Sequence, residues 1–316
     1  MSGARGVVRA FAPASTGNVI AGFDTLGAAL APADGERWGD VVTVTESDRD
    51  TLECSGLDAD ALPSSADNLV WRALDAWCAR TRRERPPLAI ALVKGLPVGS
   101  GVGSSSASIA AVLRAAHALL GDGEDDRVLL EAAGDAESGA AGARHLDNVA
   151  PALLGGLRFV GPDGRAELLP WFDELRFVVA SPALRLETRR ARAVLPAAVA
   201  LGDAVEHARA LGAFVHALHT GNREWLRAAL RDRIAEPHRL ALVPGAADLR
   251  DAALAAGAWG CSFSGAGPAM LAIAAAPDVA AVSAAMARAW ESHGVACVTR
   301  ECLLDRFGAR VLGEGA

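Results

Sequence analysis

Lys94-Gly-Leu-Pro-Val-Gly-Ser-Gly-Val-Gly-Ser-Ser-Ser-Ala107 is the stretch on which the reading of this chain turns. The apolar run Leu88 to Val93 before it predicts a strand. Behind it, Ser104 to Leu120 repeats apolar residues at helical spacing through Ile109, Val112, Leu113, Ala116 and Leu120, and Gly121 is placed to end that helix. Glycine tolerates positive φ and lets backbone come close to a ligand. A helix N-terminus carries unpaired N–H donors at the positive end of its dipole. Strand, glycine turn and helix together suit a phosphate; a plain strand-to-helix turn with serine caps is the other use of the same residues. The stretch is not a Walker A loop, because Lys94 precedes the glycines. Its Gly-x-Gly-x-Gly spacing beside Pro97 also departs from the dinucleotide fingerprint.

Working outward, strands are expected at Arg5 to Ala12 and Asp40 to Glu46, the latter rich in β-branched residues, and a helix at Asn68 to Arg83. In the second half the pattern predicts strands at Arg176 to Ala180, Met270 to Ala274 and Val295 to Thr299. Helices are expected at Asp203 to His219 and Asp278 to Ser292. Strands and helices mix throughout, which fits an α+β or α/β class. Ser55 to Asp67 and Gly161 to Pro170 read as linkers or surface loops. The second, near the middle, is the better domain border, giving units of 1–165 and 166–316.

The chain has 316 residues, 51% hydrophobic and 22% charged, which excludes a disordered chain. A net charge of −7 argues against a sequence-independent nucleic-acid binder. The longest apolar run, Ala269 to Ala276, stops at Pro277, and Met1 to Ser15 has no secretory apolar core. A cytoplasmic protein without a membrane span is therefore expected. Five cysteines with no C-x-x-C pair read as reduced thiols, and the absence of Tyr removes tyrosine chemistry. His216 and His219 share a helical face but lack further ligands in register, so they read as helix surface or core.

Other polar constellations admit two readings each. Asn18 and Asp24 sit in a small-residue stretch after the first strand. Asp24 can receive an ammonium or serve as a turn carboxylate. Glu137 and Asp147 are either Mg²⁺-holding acids near the glycine loop or solvated surface charges. Arg192 and Arg239 can clamp a carboxylate or lie free on the surface. Cys261-Ser-Phe-Ser-Gly-Ala-Gly-Pro-Ala269 is a second glycine-rich turn, able to close over the first or to act as a plain β-turn.

Five stretches in order carry a resemblance. Pro13-Ala-Ser-Thr-Gly-Asn-Val-Ile-Ala-Gly-Phe-Asp-Thr-Leu-Gly27 resembles the N-terminal motif of homoserine kinases. Pro97-Val-Gly-Ser-Gly-Val-Gly-Ser-Ser-Ser-Ala107 resembles the phosphate loop of the GHMP kinase superfamily, and Ser264-Gly-Ala-Gly-Pro268 its third motif. His145-Leu-Asp-Asn-Val-Ala-Pro-Ala-Leu-Leu-Gly-Gly156 and Ala235-Glu-Pro-His-Arg239 resemble segments of the homoserine kinase branch. The match runs from about Arg9 to Leu312. Departures are modest: Thr16-Gly17, Val19-Ile20, Val102, Ser106, Ala266 and Ala269 differ from the usual residues, and none removes a charged role.

The resemblance implies an α+β, two-domain fold, with an N-terminal domain like ribosomal protein S5 domain 2 and a C-terminal ferredoxin-like domain. It implies transfer of a phosphoryl group from ATP to the hydroxyl of L-homoserine, a step toward threonine, and a homodimer. Pro97, Val98, Gly99, Ser100, Gly101, Val102, Gly103, Ser104, Ser105 and Ser106 would surround the ATP phosphates. Asn68 would lie near the base, and Ser264, Gly265 and Gly267 against the site. Ser105 and Glu137 would bind Mg²⁺. Asn18, Asp24, Asn148, Arg192 and Arg239 would form the acceptor set, with Thr188 near the transferred phosphoryl group. Homoserine chemistry agrees with that set: Asp24 suits its ammonium, the two arginines its carboxylate, and Asn18 or Asn148 its hydroxyl. No general base is assigned, Asp147 being the candidate. The alternatives are a mevalonate-type or sugar acceptor, which would leave Asp24 without a cation, and a non-catalytic ligand-binding homologue.

Overall fold

Pro13 lies where one strand changes partners. β1 (Val7–Gly17) pairs antiparallel with β3 (Gly39–Glu46) from Val7 to Pro13, then with β2 (Leu26–Pro32) from Ala14 to Gly17. A residue with no N–H is tolerated at such a junction, where ladder bonds are handed over. The expected strand end at Ala12 is therefore five residues short. The computed structural model describes residues 6–63, 66–121, 123, 125–141 and 145–313; the expected strand start at Arg5 lies outside them.

After β3 come β4 (Thr51–Gly56), α1 (Leu69–Thr81), β5 (Leu88–Lys94), α2 (Ser104–Leu120), α3 (Asp126–Ala141) and α4 (Val149–Leu154). A hairpin of β6 (Leu157–Val160) and β7 (Ala166–Leu169) follows, then β8 (Leu175–Pro182), α5 (Thr188–Ala193), α6 (Leu201–Thr220) and α7 (Arg223–Ala229). α8 (Glu236–Arg239), α9 (Ala246–Ala255), β9 (Gly260–Phe263), β10 (Met270–Ala275), α10 (Val279–Ser292), β11 (Cys297–Leu304) and β12 (Arg310–Val311) complete the chain. The main strand path runs β4-β5-β3-β1-β2-β11-β8-β10-β9. Among the described residues, only the β4–β5 pairing is parallel.

Two hydrophobic cores flank this path. The larger lies under α1 to α4, where alanine-rich α2 packs closely on β1 and β3. The smaller lies between β8, β9, β10 and the helices α9 and α10, filled by Phe263, Met270, Met286 and Trp290. β11 and β2 join the two parts through Cys302 opposite Pro32 and Leu304 opposite Leu30.

Gly161 to Pro170, expected as a linker or surface loop, is mostly the turn and second strand of the β6–β7 hairpin, with Val160 opposite Ala166. The 165/166 border falls inside that hairpin. Ser55 to Asp67 likewise begins within β4. β11 runs five residues past Thr299, because Arg300 to Cys302 pair with β8 and Cys302 to Leu304 with β2. His216 and His219 are exposed on α6, with His216 tilted against the Trp225 ring. Among the described residues, no helix is long and apolar enough to cross a membrane.

Candidate active site

The glycine loop leaves β5 at Lys94 and enters α2 at Ser104. Gly99, Gly101 and Gly103 hold φ of 68°, 83° and 71°, a region that side chains disfavour. Space excludes them too: a Cβ on Gly101 would sit 2.7 Å from the Gly267 backbone, and one on Gly103 2.1 Å from Ser15 Oγ. The loop carbonyls turn into the protein. Gly99 O accepts from Leu186 N–H (3.1 Å), Ser100 O from Ala269 N–H (3.2 Å) and Val102 O from Ser15 N–H (3.1 Å). Gly101 O accepts from Ser264 Oγ (2.6 Å). A trans peptide points its N–H opposite to its C=O, so the N–H groups of Ser100 to Gly103 are left for an anion at the start of α2.

This loop walls one end of a cavity of about 550 Å³, a volume ordinary for a cofactor-and-substrate site. Ser105 and Glu137 face each other there, Ser105 Oγ donating to Glu137 Oε1 at 3.2 Å. Glu137 Oε2 is buried without a protein partner, and burial raises the pKa of that carboxyl. An orphaned carboxylate oxygen and a hydroxyl beside a phosphate cradle are the hard oxygen donors that suit Mg²⁺. Asn68 forms part of the wall, but its amide is engaged. Its Oδ1 caps α1 at Val70 N–H (3.1 Å) and its Nδ2 donates to Pro63 O (2.7 Å).

At the other end, side chains converge from distant segments. The turn after β1 is strained, with Asn18, Val19, Ile20 and Asp24 at φ of 67°, 40°, 64° and 58°. Such conformations cost about 1–3 kcal/mol each and persist only where the surroundings over-determine them. Here Val19 and Ile20 are locked in the core. Asn18 Oδ1 accepts from Asp24 N–H (2.9 Å), and Asn18 Nδ2 donates to Gly265 O (2.8 Å). The turn thus delivers Asp24 to Arg192, which grips it with both Nη atoms at 2.7 and 3.1 Å. His145 Nδ1 lies 3.6 Å from the same carboxylate.

Arg239 is 1% exposed. Its Nε donates to Ala191 O (3.2 Å) and its Nη1 to Gly265 O (2.8 Å). Asn148 accepts from Ser15 Oγ at 3.2 Å. Asp147 beside it is buried, and its pKa is pushed up to about 7 by burial and then by Asp24. Glycines make room for this pair: a Cβ on Gly17 would lie 2.1 Å from Asp147 Oδ2 and one on Gly27 1.6 Å from the Asp147 carbonyl.

The cavity therefore gathers Asn18, Asp24, Asn68, Val98 to Gly101, Gly103 to Ser106, Glu137, Asp147, Asn148, Thr188, Arg192, Arg239, Gly265 and Gly267. Three expected loop residues are not on its wall. Val102 and Ser264 are buried behind it, and Pro97 is exposed outside it. Asp24 and Arg192, both expected in the acceptor set, are paired with each other in this structure. The sequence reading gave no role to Asp40 and Lys94, although a charged residue at the inner end of an apolar strand is a detectable signal.

Comparison with known proteins follows the same lines. GHMP kinases N terminal domain matches residues 68–156, and GHMP kinases C terminal matches residues 214–292. The chain is 32% identical to the crystal structure of homoserine kinase from Cytophaga hutchinsonii, covering 99% of each chain with a TM-score of 0.89. The fold is shared by the mevalonate kinase of Methanococcus jannaschii at 11% identity (96% of this chain, 99% of that one, TM-score 0.66). It is also shared by Streptococcus pneumoniae phosphomevalonate kinase, solved with phosphomevalonate and AMPPNP, at 14% identity (93% and 99%, TM-score 0.67). GHMP kinases use ATP, and on these matches and its two-domain α+β fold this chain is a kinase that belongs to the GHMP kinase family.

Proposed function

We propose that this kinase transfers the γ-phosphoryl group of ATP to the side-chain hydroxyl of L-homoserine, giving O-phospho-L-homoserine and ADP, a step toward threonine. The observation that carries this reading is the acceptor end of the cavity, where Asp24 pairs with Arg192 and shares the wall with Arg239, Asn18 and Asn148. An α-amino acid brings an ammonium and a carboxylate that can replace the Asp24–Arg192 pairing on both sides. A singly charged acceptor would engage one member of the half-buried Asp24–Arg192 pair and leave the other without its partner, which is costly. Similarity to a homoserine kinase over nearly the whole chain supports the same acceptor.

Phosphoryl transfer depends on positioning and charge neutralisation more than on covalent help. The loop amides from Ser100 to Gly103 hold the phosphates, and Ser105 with Glu137 would hold Mg²⁺, which neutralises phosphate charge when bound. Asp24, Arg192 and Arg239 fix the acceptor's charged groups, and Asn18 or Asn148 aims its hydroxyl. As the acceptor oxygen bonds to the γ-phosphorus, the bond to the ADP oxygen breaks and the hydroxyl proton leaves. Asp147, titrating near neutrality at that end, is the carboxylate able to take it.

A coupled ADP-release assay with ATP and Mg²⁺ tests this against L-homoserine, L-serine, L-threonine, mevalonate and galactose. Selective turnover of L-homoserine is expected. Turnover of mevalonate or galactose instead, or of no member of the panel, would sink the acceptor assignment.

A further inference from the structure

Asp40 and Lys94 are charged residues with almost no solvent contact, their side chains 0% and 2% exposed. Asp40 is the second residue of β3 and Lys94 the last of β5. Lys94 Nζ donates to the Asp40 carboxylate, to Ser104 O (2.9 Å) and to Ser108 Oγ (3.0 Å). Asp40 Oδ2 also accepts from Ser108 Oγ (2.6 Å), and Oδ1 from Gly95 N–H (3.0 Å). All three ammonium protons and both carboxylate oxygens are used.

A buried ion pair is weak as a source of stability, since desolvation offsets much of its attraction. Its directional bonds are another matter. Gly95 is the first residue after β5 and Ser104 the first of α2, so one ion pair fastens both ends of the glycine loop. The strands approach closely there, a Cβ on Gly95 falling 2.1 Å from Gly39 O. With its protons committed, Lys94 lines the cavity without a donor to spare for a phosphate.

We propose that the Asp40–Lys94 ion pair is a strut that holds the phosphate loop in its nucleotide-binding shape, making Lys94 and Asp40 positioning residues. This rests on the reading of that loop as the ATP phosphate site. It does not depend on which acceptor is used.

The test is titration calorimetry of ADP with Mg²⁺, alongside KM for ATP and for L-homoserine. Lys94→Met is expected to weaken ADP binding and raise KM for ATP about tenfold or more, because a hydrogen-bonded charge is lost from the network. Ser108→Ala, which removes one bond from each partner and leaves both charges paired, is expected to cost about threefold. KM for L-homoserine should stay within about twofold in both, as the acceptor groups share no bond with the strut. A folded Lys94→Met protein with wild-type ADP affinity would overturn the proposal. If that variant does not fold, Ser108→Ala decides, and unchanged ADP affinity there overturns it. ADP binding by a wild-type protein that fails to phosphorylate L-homoserine would break the acceptor reading alone.

Discussion

The two ends of the cavity are built by different means. The nucleotide end is backbone: a nine-residue loop between β5 and α2 in which the carbonyls of Gly99 to Val102 are anchored in the protein. The acceptor end is side chain: Asp24, the His145–Asp147 stretch, Arg192 and Arg239 arrive from four separate segments, Asp147 and Arg239 buried and Asp24 paired with Arg192 at about a quarter exposure each. A site made of amide groups needs only local conformation, so glycines at the correct spacing suffice. A site made of opposed charges needs the whole fold, because each charge is tolerable only when its partner is in place. Damage at the acceptor end should therefore be acute and confined to one substrate, whereas damage at the nucleotide end should act through geometry.

The largest expected effect tests that confinement. Arg239→Ala removes a buried cation from the acceptor end and should raise KM for L-homoserine by the equivalent of ~2–5 kcal/mol. KM for ATP should move little, since the Arg239 bonds go to Ala191 and Gly265 and not to the glycine loop. Initial-rate kinetics with each substrate varied in turn would read both. An unchanged homoserine KM would remove the arginine from the acceptor site.

Asp147 offers a test by pH. Its folded pKa of about 7 exceeds the ordinary 3.8, so the native state keeps a proton that the unfolded chain gives up. Stability from this group is complete below about pH 4 and is lost as pH rises toward 7, by at most ~4 kcal/mol. Asp147→Asn cannot ionise and should flatten that decline. Urea unfolding of both proteins between about pH 4.5 and 7.5 measures it; parallel curves would show that Asp147 does not titrate in this window.

The third effect belongs to the nucleotide end. Glu137→Gln keeps the shape of the side chain but removes the charge and its unpartnered oxygen. It should lower kcat by about a hundredfold, in keeping with losing a metal ligand or its orienting partner. Partial recovery at raised Mg²⁺ is expected. Full activity at the wild-type Mg²⁺ optimum would mean that this carboxylate holds no metal.

What could be read in advance follows the same division. α2 spans Ser104–Leu120 as its periodicity predicts, because propensity, apolar spacing and Gly121 agree. β2 went unread: Leu-Gly-Ala-Ala-Leu-Ala-Pro has no β-branched residue, and its strand character comes from pairing with β1, β6 and β11. The glycine loop is legible from adjacent residues. The acceptor residues are legible only through resemblance, since nothing local marks Arg192 among its arginine neighbours as the one that reaches Asp24, 168 positions away. The Asp40–Lys94 strut was missed for the same reason. Each partner looks like an ordinary strand-end charge until the strands are laid side by side.

The smallest expected effect concerns Asn68, which resemblance puts near the base and whose amide is already committed to α1 and Pro63. If capping is its main role, Asn68→Ala should cost ~1 kcal/mol of stability, as loss of an N-cap does, or roughly 2 °C in Tm for a chain of this size. KM for ATP should then rise only a few-fold, through slackening of the wall that Asn68 shares with Leu62 and Pro63. Asn68→Ser separates the two uses of the side chain. It keeps an oxygen able to cap α1 but loses the donor that reaches Pro63, so stability should largely survive. A large loss of ATP affinity in Asn68→Ser with Tm held would mean that the amide donor serves the nucleotide and leaves Pro63 when ATP binds. The nucleotide end would then also depend on a side chain, and the contrast between the two ends would narrow to one of degree.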